Sequence, residues 1–147
     1  MVEIAVKEKF MGTWRLLECY GSWSDGRVSY PYGKKPEGQL IYDGRDNFSG
    51  QIVGSGRRPF QSGNLLKGTQ GEIKEAFEGY IAYYGTYNVD ESKGQVTHHV
   101  LGALFPNWIG DVQTRNFSFE GERLRLSTQS IKGSRADLTN ILLWERA

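Results

Sequence analysis

One cysteine, Cys19, is all the chain of 147 residues contains, so it forms no internal disulfide and offers neither a thiolate metal site nor a Cys-x-x-Cys redox motif. A reducing compartment, and a cytoplasmic location, are expected from that. Charge of one sign is lacking too: Lys+Arg 18 against Asp+Glu 17 leaves a net +1, with no field to recruit nucleic acid or an anionic membrane. Met1 to Phe10 carries Glu3, Lys7, Glu8 and Lys9 and has no continuous apolar run, which reads as neither a signal peptide nor a membrane span. Also missing are a Gly-x-Ser-x-Gly elbow, a catalytic cysteine context and a His-Glu-x-x-His sequence, so hydrolase and zinc-enzyme readings have no support. The glycine-rich Gly54-Ser55-Gly56-Arg57-Arg58 lacks the lysine and following Ser/Thr of a phosphate loop and reads as a rim loop. No cofactor or metal is expected. The expected partner is a small hydrophobic molecule, with the chain a monomer or homodimer.

What the chain has in quantity is glycine, 19 residues, and aromatics, 13%, a combination that favours tight turns between aromatic-rich strands. The length suits one domain, here residues 12–147, with 1–11 as an N-terminal extension. Gly12 to Trp23 alternates as a strand, with Trp14, Leu16, Glu18 and Tyr20 on one face. Val28 to Glu37 holds Pro31 between two tyrosines and reads as a loop. Asp43-Gly44-Arg45-Asp46 joins two short strands, Gln39 to Asp43 and Asn47 to Val53, as a hairpin. Thr69 followed by Glu72 has capping-box spacing, and Ile73, Phe77 and Tyr80, with Ala76 beside them, predict a short helix with one side buried, acting as a plug or lid.

Tyr83 to Asp90 and Gln95 to Val100 read as a hairpin about Glu91-Ser92-Lys93-Gly94, which sets Tyr87 opposite His98, Gly85 opposite Val100 and Tyr83 opposite Gly102. Asp111 to Phe119, Arg123 to Gln129 and Leu138 to Glu145 follow, with Gln113, Arg115, Phe117 and Phe119 sharing a face with Leu124 and Leu126. About eight strands linked mostly by hairpins predict an all-β, antiparallel up-and-down barrel, with the helix capping it. An interior of that size either fills with side chains or holds one small ligand.

Gly12-Thr13-Trp14, Tyr30-Pro31-Tyr32-Gly33, Leu40-Ile41-Tyr42, Tyr83-Tyr84-Gly85-Thr86-Tyr87, Val96-Thr97-His98, Leu104-Phe105-Pro106-Asn107-Trp108 and Trp144-Glu145-Arg146 together resemble the small lipocalin-like domain proteins of bacteria and fungi. The likeness runs from Gly12 to Arg146. It implies a calycin-type barrel in which an early tryptophan closes one end beneath a late basic residue. It departs from the true lipocalins in the helix, which here lies between the third and fourth strands rather than after the barrel. Such barrels include carriers and some enzymes of secondary metabolism, so the likeness speaks to fold more than to activity.

His98, inward beside Tyr87, suits proton transfer at neutral pH, and equally a core histidine satisfied by a tyrosine hydroxyl. His99 points the other way, which leaves the pair unsuited to sharing a metal. Arg115 and Gln113 bring a guanidinium and an amide toward an apolar interior; the partner of Arg115 is a ligand, or Glu18 on the Trp14 face, or water at the rim. Tyr83, Tyr87, Trp14 and Phe117 are candidate walls, or plain aromatic core. Gly85 and Gly102 either open space or mark bends. Three functions follow. The first is binding of a small hydrophobic, anionic or polyketide- or terpenoid-like ligand by Trp14, Glu18, Tyr83, Tyr87, His98, Gln113, Arg115 and Phe117. The second is a cofactor-independent isomerase, cyclase or dehydratase in which His98 moves a proton, Tyr87 orients it and Arg115 stabilises enolate charge. The third is an interaction module with a filled barrel and Trp108 or Trp23 as its contact.

Overall fold

The computed structural model describes residues 5–147. The exclusion of a signal peptide falls partly on residues 1–4, outside those described. Nine strands form one antiparallel sheet: β1 (Gly12–Trp23), β2 (Val28–Ser29), β3 (Glu37–Tyr42), β4 (Asn47–Val53), β5 (Tyr80–Asp90), β6 (Gln95–Ala103), β7 (Val112–Glu120), β8 (Arg123–Ser127) and β9 (Leu138–Arg146). From β3 onward each strand pairs with the next, β3 also pairs with β1, and β9 returns to β1, which closes β1 and β3 to β9 into an eight-stranded barrel. Closure leaves no free edge to these strands except where β2 adds to the far end of β1, pairing Gly21 with Ser29 and Ser22 with Val28. That two-residue strand corrects the reading of Val28 to Glu37 as loop throughout: proline excludes pairing only from residue 31 on.

The two barrel ends differ. At one, the β3–β4, β5–β6 and β7–β8 connections are tight, and a five-residue helix, α1 (Val6–Phe10), leads straight into β1. Phe10 is fully buried there, packed edge-on against Tyr42, Phe117 and Phe119 at 5.3, 4.9 and 5.0 Å between centroids. Trp14 donates its indole N–H to the Phe10 carbonyl at 2.8 Å, and the Arg146 guanidinium lies 4.0 Å over the Trp14 ring while donating to the carbonyls of Met11 and Lys9. The tryptophan and the late basic residue thus seal this end, as the resemblance implied. At the other, open end lie the long connections, including the one that holds the helix α2 (Gln70–Glu78).

Thr69 caps α2 through the expected capping box: its hydroxyl accepts from the Glu72 amide, and the Glu72 carboxylate accepts from the Thr69 amide. The expectation of a buried side fails. Ile73 and Phe77 are 53% and 47% exposed, no residue of α2 is buried, and Tyr80 belongs to β5. Polar ties hold it instead, from Arg57 to the Ala76 carbonyl, Arg58 to Glu75 and the Gln61 amide to Glu72.

Two bulges move residues from where simple alternation puts them. Between Leu16 and Glu18 the β1–β9 register slips: Leu16 faces Trp144, then Glu18 faces Leu143 and Cys19 faces Leu142. An extra residue flips every later side chain to the other face, so Cys19 is buried and Glu18 is exposed. On β6, Gly85 faces Val100 as expected, but Tyr84, not Tyr83, faces Gly102, and Tyr83 faces Ala103. A Cβ on Gly102 would lie 2.4 Å from the Tyr84 ring, and one on Gly85 would lie 1.8 Å from the His99 carbonyl oxygen. Both glycines therefore permit close approach at a bend and open no interior space.

Candidate functional site

The interior fills from the closed end upward. Phe10, Trp14, Tyr42, Phe48, Tyr87, Val96, Leu124 and Trp144 belong to one buried cluster, against which Phe117 and Phe119 pack. Above it remains a cavity of about 30 Å³, large enough for a water-sized guest. Leu40, Ile52, Leu126, Leu142 and Trp144 form its apolar wall, and Gln51, Tyr83, His98 and Arg115 are the polar side chains that line it.

His98 reaches this place because β5 and β6 pair Tyr87 with His98, and β6 and β7 pair His98 with Gln113. It is 1% exposed and stacks on Phe48, with centroids 4.2 Å apart and planes 15° from parallel. Its Nε2 lies 2.7 Å from the Tyr42 hydroxyl and its Nδ1 3.2 Å from the Tyr83 hydroxyl. Burial, with the Arg115 and His99 charges adding to it, pushes the imidazole down to about 3, so it is neutral at physiological pH. A neutral ring has one N–H and one bare nitrogen: the N–H donates to one tyrosine and the other tyrosine donates to the bare nitrogen. The same burial raises Tyr42 well above the usual phenol range and raises Tyr83 as well. The chain Tyr42–His98–Tyr83 is thus uncharged and internally satisfied.

Arg115 is not satisfied in the same sense. It donates to the Gln113 amide oxygen at 3.0 Å and to the Thr114 carbonyl at 3.2 Å, and among the described residues no carboxylate pairs with it. The proposed Glu18 partner is ruled out by the β1 bulge, which sends Glu18 to an outer groove with Tyr30 and Lys34. Trp144 supplies a second unmet group: its indole N–H is buried and has no hydrogen-bond partner among the described residues.

Of the residues singled out from sequence, the fold brings Tyr83, His98 and Arg115 to the cavity, with Gln113 bonded to Arg115. Trp14 and Phe117 sit lower, in the sealed end. Tyr87 is inward, yet its hydroxyl donates to the Asp43 carbonyl at 2.9 Å, and burial, with Asp46 and Asp43 nearby, pushes it up to about 12; it does not bond His98. His99 faces outward to Asn88 Oδ1 at 2.8 Å. Trp108 is half-buried edge-on against Tyr83 at 5.5 Å, and Trp23 bonds Ser29 beneath the Arg27 guanidinium, so neither stands free as a contact. Tyr42 and Trp144 went unassigned. The signal for Tyr42 was the hairpin register, which resolves to Tyr42 opposite Phe48.

A family model described as a lipocalin-like domain matches residues 11–147. The chain belongs to that family. A curated relative, the 4'-hydroxy-3'-methoxypropiophenone carrier protein of Aspergillus oryzae, is 37% identical over 70 residues, 44% of this lipocalin-like chain. The match spans 63% of that protein's length. No helix among the described residues is long and apolar enough to cross a membrane.

Proposed function

We propose that this lipocalin-like barrel binds a small, mainly apolar molecule at the cavity between Tyr83, His98, Arg115 and Trp144. The observation that carries the reading is the cavity itself: apolar walls on one side and a few fixed polar groups on the other are the usual make-up of a small-molecule site. The relative's printed role as a carrier of an aromatic ketone supports the same class of guest. An aromatic ketone exceeds about 30 Å³, so the guest enters from the open end as partly buried side chains there, Tyr83, Arg115 and Trp108 among them, move aside. Such rearrangement of side chains about a fixed backbone is common on binding.

The same geometry disfavours a cofactor-free isomerase, cyclase or dehydratase run by His98. Both ring nitrogens are taken by tyrosines, and an imidazole held near 3 is a weak base at neutral pH. The test is to titrate the protein with 4'-hydroxy-3'-methoxypropiophenone, reading tryptophan fluorescence and then the recovered ligand by mass spectrometry. Saturable quenching with the mass unchanged is the expected result. Absence of saturation rejects this ligand class, and a changed mass that requires His98 restores the enzyme reading.

A further inference from the structure

Resting on the reading of the barrel as a binding site, we infer that the ligand is an acidic phenol conjugated to a carbonyl, held as its phenolate with Arg115 as counter-ion. Two unmet donors border one cavity. Among the described residues the Arg115 guanidinium has amide and carbonyl partners but no anion, and the Trp144 indole N–H has no hydrogen-bond partner.

The groups facing Arg115 are Gln113 on its own strand and His98, Tyr83 and Tyr42 from β6, β5 and β3. Leu126 from β8, and Leu142 and Trp144 from β9, complete that side, and among the described residues no carboxylate lines the cavity. A partly buried cation without its counter-charge carries an uncompensated share of its desolvation cost, and a buried donor without an acceptor costs on the order of 1–3 kcal/mol. An anionic ligand oxygen beside Arg115 supplies the missing counter-charge. A neutral phenol meets the acceptor need and leaves the charge unbalanced, whereas the phenolate meets both needs.

The neutral His98 fits the same demand. It adds no second positive charge, and its tyrosines are already bonded to it, so among the described residues Arg115 is the one charge in the lining. Conjugation matters because a para carbonyl spreads the phenolate charge over the ring and lowers the cost of losing the proton. The apolar walls then cover the rest of the ring. Below the ligand's own pKa, binding breaks the phenol O–H bond, keeps the electron pair on oxygen beside Arg115 and releases the proton to solvent.

The phenolate of a para-acyl phenol absorbs at longer wavelength than the phenol, so the bound form reports its own charge. The probe is 4'-hydroxy-3'-methoxypropiophenone, compared with its O-methyl ether, at a pH about one unit below the probe's solution pKa. Wild-type protein is expected to raise the long-wavelength band on saturation and to bind the phenol about tenfold tighter than the ether, a difference of about 1.4 kcal/mol. Arg115→Met is expected to lose both the band and the preference, and Arg115→Lys to keep the band, which separates charge from folding. Binding of the phenol by wild-type protein without the band overturns the inference and leaves the binding reading intact. So does a band that survives in Arg115→Met. If neither phenol nor ether binds the wild-type protein, the binding reading itself is overturned.

Discussion

His98 shows how one side chain acts on stability and function in different ways. In the unfolded chain an imidazole titrates near 6.5, whereas in the barrel burial holds it at about 3. The folded form therefore binds its proton later on acidification than the unfolded form. The stability this contributes is complete above about pH 6.5 and is lost as pH falls toward about 3, at about 1.4 kcal/mol per pH unit. Carboxylates also titrate in that window, so the measurement is a comparison: urea unfolding of wild type and His98→Gln at several pH values from about 7 to about 4. Wild type should lose stability faster on acidification by roughly the stated slope. Parallel curves would mean that His98 is solvated or already charged when folded. Glutamine keeps a donor and an acceptor for the two tyrosines, so the difference reports the charge and not the loss of hydrogen bonds.

Among the elements, what alternation and turn chemistry dictate locally was legible, and what barrel closure imposes was not. The Asp43 to Asp46 hairpin, the Thr69–Glu72 capping box and the Tyr87–His98 pairing each depend on a few neighbouring residues, and each stands as read. The bulge after Leu16 depends on how β9, far along the chain, meets β1, about where strands must bend for the barrel to close. Nothing in Leu16-Leu17-Glu18 announces it. Missing it aimed Glu18 inward and supplied Arg115 with a partner it does not have. Helix α2 errs the other way: its apolar spacing is real, but Ile73 and Phe77 face solvent. A helix that buries no side chain contributes little to global stability, so Thr69→Ala should speed amide exchange in residues 70–78 while leaving the unfolding midpoint nearly unchanged. The lost cap is about 1 kcal/mol of local stability. A large fall in midpoint would instead show α2 packed on the barrel in solution.

Across the whole molecule the two ends divide the work. The closed end concentrates aromatic packing and the Arg146 clasp, while the polar lining, the small cavity and the long connections lie toward the open end. If the two ends act independently, a lesion at one should leave the free energy of events at the other unchanged, even though Trp144 and Leu40 reach from the cavity toward the Trp14 layer. Arg146→Ala removes two hydrogen bonds to the Met11 and Lys9 carbonyls and the cation over Trp14, a loss of about 2 kcal/mol. For a domain of this size that lowers the midpoint by roughly 4–8 °C. Ligand at about one hundred times its dissociation constant should then add about 2.7 kcal/mol to the wild type and to Arg146→Ala alike. Trp108→Ala, beside Tyr83 at the open end, should reverse the pattern, with a small loss of stability and a much reduced ligand increment. Thermal unfolding of the three proteins with and without ligand decides the matter. Equal increments in wild type and Arg146→Ala, with a collapsed one in Trp108→Ala, place entry and binding at the open end. An increment lost in Arg146→Ala would mean that the clasp holds the cavity's shape, and that the two ends act as one cooperative interior.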